Sequence, residues 1–201
     1  LEKIEDEAIL RCLNTYVCTE QQKGRIQHFV SKNCMDIDGL GAKLVEQLIE
    51  KKLIKNISDI FYLKISDLVD IERMGEKSTN NVIDAINQSK EIHLWRFIHG
   101  LGIRNIGENA SKILAQKFKT IKILSNVAIE ELIDINEVGD IMAESVIQFF
   151  NDTRNQEIVT RCISAGLKFK DTPQQSNELK DIKFVITGTI RNMSRPQLKF
   201  K

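Results

Sequence analysis

Apolar residues return to one register four times along this chain. The blocks Ile37-Asp38-Gly39-Leu40-Gly41, Ile71-Glu72-Arg73-Met74-Gly75, Ile103-Arg104-Asn105-Ile106-Gly107 and Ile135-Asn136-Glu137-Val138-Gly139 each read Ile, two variable residues, an aliphatic residue or Met, then glycine. Their terminal glycines stand 34, 32 and 32 positions apart. Seven positions after each comes Leu48, Val82, Leu114 or Val146, where a helix begun at the glycine returns to its buried face. Self-similarity at such a period marks one supersecondary unit repeated four times, here helix, glycine hairpin, helix. The same spacing predicts helices over 21–30, 43–52 and 57–69, with Ser58, Asp59 and Ser66 as N-caps, and a last amphipathic piece over 161–169. Leu68-Val69-Asp70-Ile71 recurs as Leu132-Ile133-Asp134-Ile135, so the second and fourth units match in their leading helices as well. A polar, proline-bearing linker is expected over 170–178, followed by a strand over 182–186 and a turn at Thr187-Gly188.

A glycine at each tight turn is expected to supply backbone angles that other residues adopt only at a cost of about 1–2 kcal/mol. It also leaves the first amides of the next helix uncovered. Those N–H groups have no partner within the helix and carry the positive end of its dipole, which suits an anion such as a phosphate. Four such clamps in register suit a polyanion with regularly spaced phosphates. Because the donors are amides, contact to the sugar-phosphate backbone is expected, without sequence preference. The candidate donors lie around Gly39, Gly41, Gly75, Gly102, Gly107 and Gly139, with Lys43, Arg73, Lys77 and Arg104 as supporting charge. Seven of the ten glycines, Gly39, Gly100 and Gly102 among them, fall in or beside these turns, more than ordinary helix caps explain. The earlier hairpin glycine, Gly39, becomes Arg73, Asn105 and Glu137 in the later units. A carboxylate repels phosphate, so the fourth hairpin is expected to serve packing more than binding. Trp95 and Phe97 are assigned to the core rather than to base stacking. Two other classes fit the repeats: a stand-alone, non-catalytic module that binds DNA structures, and a helical scaffold presenting protein-binding surfaces.

Composition sharpens this picture. The formal net charge is only +1 over 201 residues, which argues against a general basic surface but not against amide clamps. Residues 178–201 carry six basic and two acidic groups, leaving the preceding 177 at −3, so the end of the chain belongs to something else. With two prolines and many aliphatics, the fold class expected is mainly α. No apolar run approaches the roughly 20 residues that span a bilayer and no secretory leader is visible, so a soluble, cytoplasmic monomer is expected. Four cysteines make no disulfide framework in such a chain. Cys12 and Cys18 would supply half of a tetrahedral zinc site, while Cys34, Cys162 and the three histidines offer no second pair by spacing. Asp36-Ile37-Asp38-Gly39 begins like a calcium loop, but Leu40 and Gln47 occupy liganding positions. No nucleophile–base constellation and no Walker-type phosphate loop occurs. Leu1 opens the chain in place of methionine, and a fragment is expected.

The order of parts, with the local runs Arg11-Cys12, Cys18, His28-Phe29-Val30-Ser31, Met35 to Gly41, Arg73 to Ser78 and Leu101 to Gly107, resembles the C-terminal half of bacterial NAD+-dependent DNA ligases up to about Ser194. The resemblance implies the C-terminal half of a four-cysteine zinc finger over 1–33, with Cys12 and Cys18 as zinc ligands whose partner pair is not in this sequence. It further implies a four-repeat helix-hairpin-helix DNA-binding domain over 34–169, and over 179–201 the truncated start of an α/β BRCT domain, in which Thr187-Gly188 matches the first turn. By resemblance the hairpins pair two by two and line the minor groove of nicked double-stranded DNA. The intact enzyme of this family passes AMP from NAD+ through a lysine to the 5′-phosphate at a nick, and seals it with Mg2+. That lysine belongs to a Lys-x-Asp-Gly motif. The only Asp-Gly here, Asp38-Gly39, is preceded by Asp36, so the fragment is expected to be inactive alone.

Overall fold

A computed structural model describes residues 2–3, 10–11 and 18–170 of the chain. Cys12 and the segment assigned to the start of a BRCT domain lie outside the described residues, as does the linker beyond Lys170. Two short strands, β1 (Glu2–Lys3) and β2 (Leu10–Arg11), pair antiparallel near the start. The remainder is helical: α1 (Thr19–Val30), α2 (Ala42–Glu50), a 3-10 turn at Asp59–Tyr62, α3 (Ile65–Leu68), α4 (Glu76–Gln88), α5 (Leu94–Gly100), α6 (Glu108–Phe118), α7 (Ile121–Leu124), α8 (Ile129–Ile133), α9 (Asp140–Asn151) and α10 (Thr153–Ser164). Two further strands, β3 (Glu91–His93) and β4 (Lys168–Lys170), pair in parallel.

The repeat register is the register of the core. Leu48, Val82, Leu114 and Val146 are all buried, as are Ile37, Leu40, Ile71, Ile103, Ile106 and Val138 from the hairpin blocks. The first and third hairpins thus pin their turns with two buried apolar residues, the second and fourth with one buried residue and a partly buried one, Met74 or Ile135, and each pins its second helix with a further buried residue. Three T-shaped or tilted aromatic contacts extend this core across the molecule: Phe29 meets Phe61 at 5.9 Å and Phe97 at 6.3 Å, and Phe97 meets Phe169 at 5.2 Å.

Several local expectations are corrected. The stretch 57–69 is not one helix. Leu63 and Lys64 are extended, and the Asp67 carboxylate accepts the Lys64 N–H at 2.8 Å, starting a fresh short helix at Ile65. Ser66 therefore lies inside α3 rather than capping it, and Asp59 turns backward to accept the N–H groups of Lys55 and Asn56 at 2.8 and 3.1 Å. The final amphipathic piece ends at Ser164. Residues 168–170 return instead to the middle of the chain as β4, with Lys168 N–H donating to Lys90 O at 2.7 Å. The helix expected over 21–30 is present as α1, which contributes Ile26, Phe29 and Val30 to the common core.

Two glycines near the third hairpin have purely internal explanations. A Cβ on Gly100 would stand 3.0 Å from Phe29 and 3.4 Å from the Cβ of Cys34, so its absence lets α5 cross α1 closely. Gly102, at φ +64°, follows the last residues of α5 as an ordinary left-handed cap, donating its N–H to His99 O at 3.1 Å. The glycine excess around the turns therefore owes these two members to packing and capping.

Candidate nucleic-acid interface

The four hairpins share one backbone plan. In the second, third and fourth, the N–H of the fourth residue closes a β-turn on the carbonyl of the first: Met74 on Ile71 (3.0 Å), Ile106 on Ile103 (3.1 Å) and Val138 on Ile135 (3.0 Å). In all four, the third residue carries the left-handed conformation: Gly39 at φ +81°, Arg73 at +68°, Asn105 at +61° and Glu137 at +72°. The invariant last glycine does not. Gly41, Gly75, Gly107 and Gly139 are extended, with φ of −72°, −92°, −85° and −88°, a region open to any residue. The expectation that these glycines are needed for turn geometry is thus corrected.

Nor does packing require them. A Cβ added at Gly41, Gly75, Gly107 or Gly139 would meet nothing within 4 Å. Each of these residues is the N-cap of the helix that follows, and none supplies a side-chain cap. Two other helices, α7 and α10, do have side-chain caps: Thr120 Oγ1 accepts from Ile123 N–H at 3.2 Å, and Asp152 accepts from Arg154 and Asn155 N–H at 2.8 and 3.3 Å. At the hairpins the first-turn amides of α2, α4, α6 and α9 are left facing the exterior across a bare Cα, the arrangement that admits an anion to a helix N-terminus.

The hairpins associate in pairs. A Cβ at Gly39 would stand 2.8 Å from Val82 of α4, so the first hairpin rests directly on the second helix of its neighbour, and Lys43 and Arg73 line one groove between them. In the second pair, Asn105 Nδ2 donates to Ser145 Oγ at 3.0 Å and Asn109 Nδ2 to Glu137 Oε2 at 3.1 Å. Asn109 and Glu137 occupy the repeat positions of Lys43 and Arg73. Matching places therefore carry two cations in one pair, and an amide and a carboxylate in the other.

All ten residues expected to contact an anion, Gly39, Gly41, Lys43, Arg73, Gly75, Lys77, Gly102, Arg104, Gly107 and Gly139, are exposed. Electrostatics grade the four turns. Counting from the block through the second helical residue, residues 37–43, 71–77 and 103–109 are each formally neutral, whereas 135–141, with Glu137 and Asp140, carry −2. Of the four hairpin helices α2, α4, α6 and α9, α2 alone has no acid in its first turn. In the third hairpin, the Lys112 ammonium bonds the Glu108 carboxylate at 2.6 Å and holds its pKa below the ordinary carboxylate value. Lys112 Nζ also sits 4.7 Å from the centre of the half-buried Trp95 ring, which packs on the core as expected, alongside a fully buried Phe97.

Of the cysteines, Cys18 precedes α1 and Cys162 is buried deeply enough for its thiol pKa to be pushed up to about 12, which keeps it protonated and inert. Spacing in sequence does not reveal that His28, Cys34 and His99 meet in space, with candidate ligand atoms all within 4.8 Å of one another.

No helix among the described residues is long and apolar enough to cross a membrane. Residues 33–88 match the family described as a SAM-like helix-hairpin-helix tandem, and residues 96–159 the helix-hairpin-helix motif. The chain is 40% identical over 201 residues to the DNA ligase of Halothermothrix orenii, covering 98% of this chain and 30% of that protein. It is equally identical, with the same coverage, to the DNA ligase of Clostridioides difficile, and 37% identical over 203 residues to that of Phocaeicola vulgatus. The chain spans about 30% of the length of these curated relatives.

Proposed function

We propose that this chain is a stretch of a DNA ligase and that its hairpins are the part of such an enzyme that clamps the DNA backbone. The observation that carries the reading is the set of four extended glycines whose missing Cβ atoms no internal neighbour requires. A residue kept bare for no internal reason is kept bare for what approaches from outside, and uncapped amides call for an anion. Net charge near zero leaves this geometry, rather than a basic surface, to provide the contact. The duplex is gripped through phosphates without sequence preference, at a nick and across the minor groove, in the cytoplasm and as a monomer. NAD+ and Mg2+ serve the whole enzyme's sealing step. We assign 1–33 to a zinc-finger half with Cys12 and Cys18 as zinc ligands, 170–178 to a linker and 179–201 to the start of a BRCT domain.

The test separates binding from folding. Gly41→Ala and Gly107→Ala are expected to leave the melting temperature within about 2 °C of the parent, since the backbone there is open to any residue. They are expected to weaken anisotropy-detected binding to nicked and intact duplexes several-fold, because a methyl group intrudes between phosphate and amide. Unchanged binding at low salt would sink the clamp and favour a protein-binding scaffold. The chain contains no Lys-x-Asp-Gly motif, so no ligation is expected from it alone with NAD+ and Mg2+.

A further inference from the structure

Where α1 crosses α5, three side chains remote in sequence converge. Cys34 is wholly buried, and its Sγ lies 3.6 Å from His28 Nε2 and 4.0 Å from Nδ1. The His28 and His99 rings stand edge to face, 4.9 Å apart. His28 Nε2 is 2.8 Å from the backbone carbonyl of His99, to which it can only donate, so the neutral ring keeps its lone pair on Nδ1, 4.0 Å from the thiol sulfur. His99 Nδ1 is buried and has no hydrogen-bond partner, an exception to the rule that buried polar atoms are satisfied.

We infer that His28, Cys34 and His99 form a binding site for a single zinc-like divalent metal ion. One thiolate and two imidazoles are the donor set that zinc takes, and three protein ligands leave a fourth position for water. Metal–ligand bonds of about 2.0–2.3 Å in a tetrahedron separate ligand atoms by roughly 3.5 Å. With Nε2 committed to the carbonyl, the ligating pair is Nδ1 and Sγ at 4.0 Å, slightly wider than that spacing, and the ligand atoms of the group all lie within 4.8 Å of one another. The outer contacts are those of a ligating site. A metal-bound histidine commonly gives its other N–H to a carbonyl, as His28 does. Arg96 Nε donates to Cys34 O at 2.6 Å and its Nη2 to Lys32 O, which fixes the turn that presents the thiol. The bound ion also satisfies the orphaned His99 nitrogen. A cavity of about 270 Å3 has His28, Gly100 and Gly102 in its wall, so one of the three ligands borders open space. Among the described residues, Cys18 is not part of this group.

Cobalt(II) is the probe, titrated into the full 201-residue chain carrying Cys12→Ser and Cys18→Ser. One equivalent is expected to bind with thiolate-to-cobalt absorption in the near ultraviolet and tetrahedral bands in the visible, both abolished by zinc. Adding Cys34→Ala should remove the absorption while circular dichroism stays helical. His99→Gln, which keeps a polar side chain at the same place, should weaken cobalt binding at least tenfold and decides the matter if the Cys34 variant does not fold. No thiolate band in the Cys12/Cys18 variant, or a band that survives loss of Cys34 or is unmoved by His99→Gln, would overturn the assignment.

Discussion

Two residues of each hairpin answer to different masters. The third must be left-handed, and only the first hairpin places glycine there. Gly39→Ala is expected to cost at least about 1–2 kcal/mol from the backbone alone. The added Cβ would also approach Val82 to 2.8 Å, and thermal denaturation reads the sum. Arg73→Gly has the opposite sign. Relief of the left-handed cost exceeds the roughly 0.5–1 kcal/mol of extra chain entropy lost by glycine, so the melting temperature should rise. On the clamp reading, the same change should lower the dependence of log K on log salt by about one, since one cation leaves the phosphates. An arginine kept where glycine is easier for the backbone is thereby tested as a binding residue. A third expectation concerns Glu108, whose folded pKa lies below 4.5 because Lys112 bonds it. The pair's contribution is present above about pH 4.5 and fades as pH falls through the lower folded value. Both partners are largely exposed, so it is worth less than about 1 kcal/mol. The melting-temperature gap between parent and Lys112→Met should be small at pH 7 and should close in acid.

At the scale of elements, the helices and hairpins were legible wherever an apolar period persisted. The heptad step from Gly107 to Leu114 identifies a buried face because α6 runs uninterrupted over Glu108–Phe118. Legibility failed where a carboxylate reset the chain, as Asp67 does at Lys64. It failed again at β3 and β4, since three residues that pair across 77 positions leave no local period to read. The position of the repeat glycines was legible too, but their reason was not: sequence cannot distinguish a glycine required by φ from one required by emptiness. The charge of the fourth hairpin was legible as a weakness, and the structure adds that Asn109 occupies Glu137 from the side. Glu137→Gln keeps an acceptor for Asn109 while removing the carboxylate. It is expected to tighten duplex binding about two- to fivefold at low salt, an effect that shrinks toward 0.5 M salt as the Debye length contracts. Equal affinity at all salt concentrations would mean that the fourth hairpin does not approach the phosphates.

At the scale of the molecule, the two hairpin pairs are fastened to each other at several points. Arg96 reaches from α5 to the carbonyl of Cys34, Arg161 of α10 pairs with Asp59 at 2.8 Å, and Tyr62 donates its hydroxyl to Arg161 O at 3.1 Å. A rigid body carrying two grips will hold and let go as a unit only if the grips are equal, and these are not: Lys43 and Arg73 in one correspond to Asn109 and Glu137 in the other. The consequence is kinetic. Departure from a duplex should begin at the acidic end, pass through a half-held state on the Lys43–Arg73 side, and finish there, so that a salt-jump dissociation trace has two phases. Making the ends alike with Glu137→Arg should merge them into one. On the clamp reading such a molecule would have a leading and a trailing end on a duplex, and its orientation there would be written into four side chains.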